Sequence, residues 1–436
     1  MIKKITKKEF LLFSVPVVLG VIILFFKLGS LFQNLNGDEY AFLLISEQLK
    51  GEPYLPYLIW PKNLGSTHTL LPYLMQIPIA FFGITNFAVR FIPALFALLG
   101  IITFYLLLRS LFENPLTAFI GATLLALTRW YLTISRLTYE LSEMLFFAIA
   151  NLLFLVLFLK SKEEKFRFNN LEVRSSYVYI FAAGVTLGFL QHTYVAARFY
   201  LFFYTFFFLF YFFMKRKTFF EAFKKFLIFS FGFLILISPL IYVFIKHPRS
   251  FDARGAELVF AQNLSFNDLI WSLKQSTLRT FGMFHLRGSD VSCYNIPNLP
   301  MLDPISGLLF LVGLILSFRI LDFRYSLVFI SFFLFSLLPS ILSYWPAAPQ
   351  GLRAAGSIVP IVLYTTIGLE ALAKLLRKYY IPIIVVVISV IAIVNLQIYF
   401  KYQPQLQDDC FKSKVENFED FKKHFLQETG GVKFIR

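Results

Sequence analysis

The sequence predicts an all-α, polytopic membrane protein of about eleven helices, and three observations carry that reading. Hydrophobic residues make up 58% of the 436, 19% are aromatic with 57 Phe, and only 15% are charged, a usage far from that of a soluble domain. Apolar runs of roughly 17–22 residues recur, each long enough to cross about 30 Å of hydrocarbon as a helix. In lipid, only helices and closed barrels leave no backbone group unpaired, and unbroken apolar runs exclude the alternating pattern of a barrel.

Four lysines, Lys3, Lys4, Lys7 and Lys8, precede the first run, 10–26. The run is long for a signal peptide and no small-residue cleavage site follows, so it reads as a retained first span. Residues 28–82 hold Trp, Tyr, Pro and Gly but no clean span, and form a large first external loop with interfacial helices. Ten further spans are expected at about 87–108, 115–134, 141–159, 177–193, 199–214, 226–245, 304–318, 325–343, 356–373 and 381–399. The spans and their loops make one transmembrane module, 1–400, with a second large external loop at 246–303. A tail, 401–436, exchanges Leu/Ile/Val runs for Gln, Asp, Lys and Phe and is too short to be an independent domain.

Orientation follows from basic-residue density. With the N-terminus cytoplasmic, the inner segments carry 20 Lys and Arg in 52 positions, denser than the outer ones, as the positive-inside rule requires. Both large loops and the tail then lie outside. The net charge of +16 belongs to these connectors and does not indicate nucleic-acid binding. Cys293 and Cys410 fall on the same outer side, a pairing that an oxidising compartment would permit. The sequence has no His/Cys cluster of metal-site spacing, no Gly-rich phosphate loop and no clear internal repeat of the transporter kind.

Asn36-Gly37-Asp38-Glu39-Tyr40 follows the first span. A carboxylate at this boundary can act as general base on an incoming hydroxyl. Adjacent helical side chains diverge by about 100°, so one of Asp38 and Glu39 faces a substrate and the other does not. Gly37 permits an unusual backbone at the span-to-loop corner. The pair has a second reading, as acids in the first turn of an interfacial helix. Other polar stretches fall at outer span ends: Ser135-Arg136 through Tyr139-Glu140, His192 through Arg198, His247 through Arg254, and Pro339 through Arg353. Each alone also reads as an interfacial anchor. Together they place Arg136, Arg198, Arg254 and Arg353 on the face that the positive-inside bias disfavours, which suggests an anionic ligand, most simply a phosphate.

The chain resembles the GT-C superfamily of integral-membrane glycosyltransferases, in particular the branch of protein O-mannosyltransferases and lipid A aminoarabinose transferases. Gly37-Asp38-Glu39 is similar to the Asp-Glu motif of that family's first external loop. His68-Thr69-Leu70-Leu71, Phe82-Gly83, Ala88-Val89-Arg90, Ser135 to Glu140, Thr193 to Arg198, His247-Pro248 with Arg254, and Pro297 to Pro304 resemble further stretches in the same order. The resemblance implies an active site on the extracytoplasmic side of the cell membrane and a polyprenyl-phosphate sugar donor. It implies Asp38 as base for inverting transfer, with Glu39 and Glu140 supporting. Arg136, Arg198, Arg254 and Arg353 would serve the donor phosphate, and Lys62, His68, Tyr139 and His192 other substrate groups. The acceptor, whether lipid, glycan or protein, is not implied, and the soluble domain that some members use for protein acceptors is absent from the sequence. No cofactor is expected for this branch, although the three acids are also compatible with the divalent metal of some relatives. Where better-known members have His-Pro-Pro or Lys-Pro-Pro, this chain has His68-Thr69-Leu70. Two other classes, a lipid-linked oligosaccharide ligase or polymerase and a non-enzymatic flippase, remain compatible with the many spans and outer arginines.

Overall fold

The computed structural model describes residues 6–59, 66–112, 114–161, 165–168, 171–248, 258–406, 418–429 and 433–434. It is helical throughout its apolar part. The helices are α1 (Lys7–Phe25), α2 (Gly37–Gln48), α3 (Leu70–Phe82), α4 (Asn86–Leu111), α5 (Pro115–Leu127), α6 (Arg129–Ser135), α7 (Leu141–Lys160), α8 (Ser175–Leu190), α9 (Tyr200–Met214), α10 (Phe219–Lys246), α11 (Phe266–Gly282), α12 (Pro304–Ile320), α13 (Phe323–Ile341), α14 (Ile358–Leu375), α15 (Tyr380–Gln397), α16 (Gln403–Leu406) and α17 (Phe418–Thr429).

All eleven segments expected to span are helical, but they are not eleven helices of equal reach. Among the described residues eight are long and apolar enough to cross a membrane, and α5 with α6 makes a ninth if the bent pair is one span. The pair bends by 61° at Thr128, where Arg129 opens α6 and is drawn to the large loop instead of continuing the helix line. The remaining two, α8 and α12, have 16 and 17 residues. α8 lies between the caps Arg174 and Gln191, and α12 between Asp303 and Leu321.

One buried cluster runs through the bundle. α4 packs on α1, α5 and α7, α8 lies between α7 and α10, and α12 packs along α14. The last pairing approaches so closely that a Cβ on Gly313 would meet the Tyr364 carbonyl, and one on Gly368 the Leu309 carbonyl. Glycine at both positions is therefore what lets the two backbones touch.

The loops meet at one end of the bundle. The first loop contributes α2, α3 and two short strands, β1 (Tyr57–Ile59) and β2 (Ser66–His68), paired antiparallel with Tyr57 opposite His68. The tail folds back onto this loop. α17 stacks Phe418 and Phe421 on Tyr40, Lys422 reaches Glu47 at 3.3 Å, and a strand at Lys433–Phe434 adds to β1. The connection between α7 and α8 carries the hairpin β3 (Lys165–Phe168) and β4 (Leu171–Arg174) at the other end, so the tail strand is β5. Cys293 is disulfide-bonded; Cys410, the chain's second cysteine, lies outside the described residues.

Replacing Gly368 by Leu is expected to drive the branched side chain into the Leu309 carbonyl and to cost more than the usual 1–3 kcal/mol of an overpacked site, because the obstacle is backbone. The monodisperse peak of the detergent-solubilised protein in size-exclusion chromatography should be lost, whereas Gly37→Ala, with nothing near its added carbon, should leave it intact.

Candidate active site

Asp38 and Glu39 open α2, whose first turn is built around Asn36. The Asn36 side chain accepts from the Glu39 amide at 2.9 Å, and the Glu39 carboxylate accepts from the Asn36 amide at 3.1 Å. This reciprocal cap satisfies two of the amides that any helix start leaves open. Gly37 is thus an ordinary first helical residue and not the special corner anticipated for it; among the described glycines only Gly51 and Gly83 have positive φ.

Glu39 points into the protein and is fully buried. Arg90 of α4 meets it with two parallel hydrogen bonds of 2.8 Å, and Thr138 adds its amide at 3.1 Å and hydroxyl at 3.2 Å. Arg90 also donates to the carbonyls of Phe32 and Asn34, both at 2.9 Å. Burial by itself would raise the Glu39 pKa. The Arg90 charge, its hydrogen bonds and those of Thr138 and Asn36 outweigh it and hold the carboxyl below its ordinary value. A carboxylate enclosed in this way has no open edge for a substrate, so Glu39 is a structural neighbour of the site.

Asp38, one residue earlier, is turned outward and exposed. Its Oδ2 accepts a 2.6 Å hydrogen bond from the hydroxyl of Tyr294 in the large loop. Burial, then Tyr139 and the Asp38 charge, push the Tyr294 phenol well up, which keeps it the donor. Tyr139 packs edge-on against Tyr294, with ring centres 5.6 Å apart, and against Tyr194 at 6.0 Å. The loop that carries Tyr294 is itself held from below. Arg129 donates to Asn295 Oδ1 at 2.6 Å and to the Pro300 carbonyl at 2.5 Å, while the Asn295 amide group donates to the carbonyls of Ser289 and Leu299.

Glu140 follows Tyr139 and accepts from the Thr67 hydroxyl at 2.8 Å and the His68 amide at 3.1 Å, which fixes β2 against the start of α7. The His68 ring lies edge-on to Tyr57, 4.9 Å between centres. Arg198 donates to the Tyr57 hydroxyl at 3.1 Å and stands over the Tyr57 and Phe244 rings. His192 Nε2 donates to the Leu236 carbonyl and Nδ1 accepts from the Tyr54 hydroxyl, each at 2.7 Å. Burial lowers its pKa, the Leu236 bond opposing, so it is the neutral tautomer implied by those partners.

The structure therefore gathers Asp38, Tyr139 and Glu140, with His68 and Arg198 linked to them through Tyr57. His192 stands beside Tyr54 in the same loop assembly. Arg136 departs from its expected role. Its guanidinium donates to the carbonyls of Ile23, Leu24 and Phe26 and to the Tyr399 hydroxyl, and only 1% of it is exposed. It caps the C-terminal end of α1, where carbonyls lack helical partners and a cation is favoured, and is withdrawn from any phosphate. Arg353 is bonded to the Ser343 hydroxyl at 2.6 Å, beside α13 and not in the Asp38 cluster. Lys62 and Arg254 lie outside the described residues. Among the described residues no group of three His, Cys, Asp or Glu side chains converges where a metal could sit. Tyr294, Asn295 and Arg129 are absent from the residues singled out by sequence. Only Arg129 left a local signal there, as an ionisable residue inside an expected span.

No family model and no curated relative matches the sequence. Solved structures do. The archaeal oligosaccharyltransferase AglB from Archaeoglobus fulgidus, in complex with an inhibitory peptide and a dolichol-phosphate, superposes over 99% of this chain with a TM-score of 0.59 at 14% identity. The chain has the GT-C fold. It spans 60% of the length of that oligosaccharyltransferase. ArnT from Cupriavidus metallidurans bound to undecaprenyl phosphate matches over 98% of this chain and 78% of its own, with a TM-score of 0.53 at 13% identity. At such identities the likeness concerns the GT-C architecture, and the site rests on the geometry above.

The pH dependence of stability should expose the Glu39–Arg90 pair. Because the folded pKa of Glu39 is depressed, its stabilisation is complete above the ordinary carboxylate pKa and fades as pH falls toward the folded value. Thermal melting between pH 7 and 3 should show this loss in wild type. In Glu39→Gln that component should vanish, and the variant should be weaker at pH 7 by about 3–5 kcal/mol, since Arg90 is left buried and unpaired.

Proposed function

We propose that this GT-C protein is an inverting glycosyltransferase that moves a sugar from a polyprenyl-phosphate donor to an acceptor hydroxyl or amine on the extracytoplasmic face of the cell membrane. The observation that carries the proposal is the division of labour in the first turn of α2: Glu39 is locked inward and Asp38 is presented outward, steadied by Tyr294. That is the arrangement a general base requires, with an open edge and a fixed orientation. Lipid phosphates bound to two proteins of like fold, dolichol-phosphate in one and undecaprenyl phosphate in the other, support a lipid-linked donor here.

In the proposed reaction Asp38 takes the proton from the acceptor as its oxygen or nitrogen attacks the anomeric carbon. The bond from that carbon to the phosphate oxygen breaks, its electron pair leaving with polyprenyl phosphate. The leaving group carries its own charge, so the protein has only to supply a base on one side and cations on the other. Arg198 would serve the phosphate: it donates to Tyr57 of β1, which pairs with the strand β2 that Glu140 holds. Tyr139 lines the acceptor side beside Tyr294, and His68 and His192 shape the loop wall. Catalysis needs no cofactor in this scheme.

Transfer from a synthetic polyprenyl-phosphate hexose to a mixed pool of lipid and peptide acceptors, measured in nanodiscs, tests the reading. Asp38→Asn should lower the rate by at least about 10²-fold; equal rates in variant and wild type would remove Asp38 as base and favour a ligase or flippase. Tyr294→Phe, which keeps the ring and loses one hydrogen bond to a charge, should cost about tenfold in turnover with unchanged melting behaviour.

A further inference from the structure

A cavity of about 360 Å³ opens at the end of the bundle opposite Asp38, within the size range of sites that hold organic ligands. It lies where the C-terminal ends of α7 and α9 meet the starts of α8, α10 and α13. Its walls are Phe158, Phe206, Phe207, Phe210 and Tyr211, and its rim carries Lys215, Lys225 and Arg324. No acidic side chain is among the described residues lining it. Arg324 shares part of its charge with Asp322 just outside, at 2.9 Å, and Lys225 stands 5.7 Å from the centre of the Phe158 ring. Phe206 and Met214, 38% and 54% exposed, lie at the mouth, so the cavity opens toward the apolar flank of the bundle and is not closed off from lipid.

Aromatic walls reached from the lipid side, with cations only at the water-side rim, match one chemistry: an amphiphile with an anionic head. Lys and Arg at the ends of spans extend their heads to the interface while their stems cover apolar surface, and a phosphate placed among three of them gains charge-assisted hydrogen bonds. We propose that this cavity is a binding site for an anionic phospholipid, with the phosphate among Lys215, Lys225 and Arg324 and an acyl chain along Phe206, Phe210 and Tyr211. The site is independent of the transferase reading, since it shares no residue with the Asp38 cluster. It anchors the ends of five helices that meet around it, so occupancy stabilises this end of the bundle.

The test uses the full chain, delipidated in detergent, with native mass spectrometry and thermal melting at graded phosphatidylglycerol, phosphatidylcholine or inorganic phosphate. Phosphatidylglycerol should bind saturably and raise the melting temperature. Phosphatidylcholine, whose choline offsets the phosphate, should bind far more weakly, and inorganic phosphate, without a chain, should neither bind nor compete at equal concentration. The double variant Lys215→Gln/Lys225→Gln should weaken phosphatidylglycerol binding about tenfold or more, and Lys215→Gln alone by less. Lys217→Gln, exposed nearby but not at the rim, should change nothing. Equal binding of the two lipids, an equal loss in Lys217→Gln, or full competition by inorganic phosphate would each overturn the proposal, the second by reducing it to diffuse surface charge and the third by making the ligand a soluble phosphate.

Discussion

The Glu39–Arg90 pair is the interaction on which the loop end of this protein depends. A buried ion pair is stabilising only when further hydrogen bonds satisfy what the mutual attraction leaves over. Here that condition is met on both sides: Glu39 accepts from Arg90, Thr138 and Asn36, and Arg90 passes its remaining donors to Phe32 and Asn34. The pair thereby joins four separate segments, namely the connector after α1, the start of α2, α4, and the turn before α7. It also sets the rotation of α2. With Glu39 fixed inward, the helical period of about 100° per residue leaves Asp38 no direction but outward.

The same device recurs with Arg136 and Arg129. Each is a buried guanidinium that donates to backbone carbonyls where a helix ends or a loop turns. Loops near a membrane have more carbonyls than amides can answer, and arginine offers five donors in a rigid fork without losing its charge. The outer arginines, which in sequence look like a phosphate-binding group, are thus divided. Of that group, Arg136 supports the backbone, as Arg90 and Arg129 outside it also do, Arg353 is bonded to Ser343, and Arg198 is half-buried on aromatic rings.

Much of this was legible in the sequence. Apolar runs and their polar ends located a helix at each of the eleven expected spans, of which eight, or nine with the bent α5–α6 pair, are long and apolar enough to cross a membrane among the described residues, because the demand for internal hydrogen bonding in lipid is local and severe. The reading of Asp38-Glu39 as acids in the first turn of a loop helix describes the structure, and the expected divergence of the two side chains is there too, Glu39 buried and Asp38 exposed. What the sequence did not disclose is non-local. Tyr294 is 256 positions from Asp38, and a single tyrosine in a long loop carries no pattern. The return of the tail onto β1 and α2 was equally invisible, since a two-residue strand and an aromatic stack on Tyr40 have no periodic signature. Arg136 was misjudged because its partners are carbonyls, which every residue has and no sequence marks.

The arrangement around α2 also bears on why an exposed carboxylate can hold a defined position. α2 is tied at its buried face by Arg90 and covered by α17 through Tyr40, whose ring is stacked with Phe418 and Phe421. Motion of Asp38 then reduces to rotation about its own side-chain bonds, and the Tyr294 hydrogen bond limits that. Tyr294 in turn cannot drift, because Asn295 beside it is bonded on three sides by Arg129, Ser289 and Leu299. A carboxylate placed by secondary structure below and by a pinned phenol above needs no burial to be oriented. A partner approaching from the open side therefore meets it in one geometry.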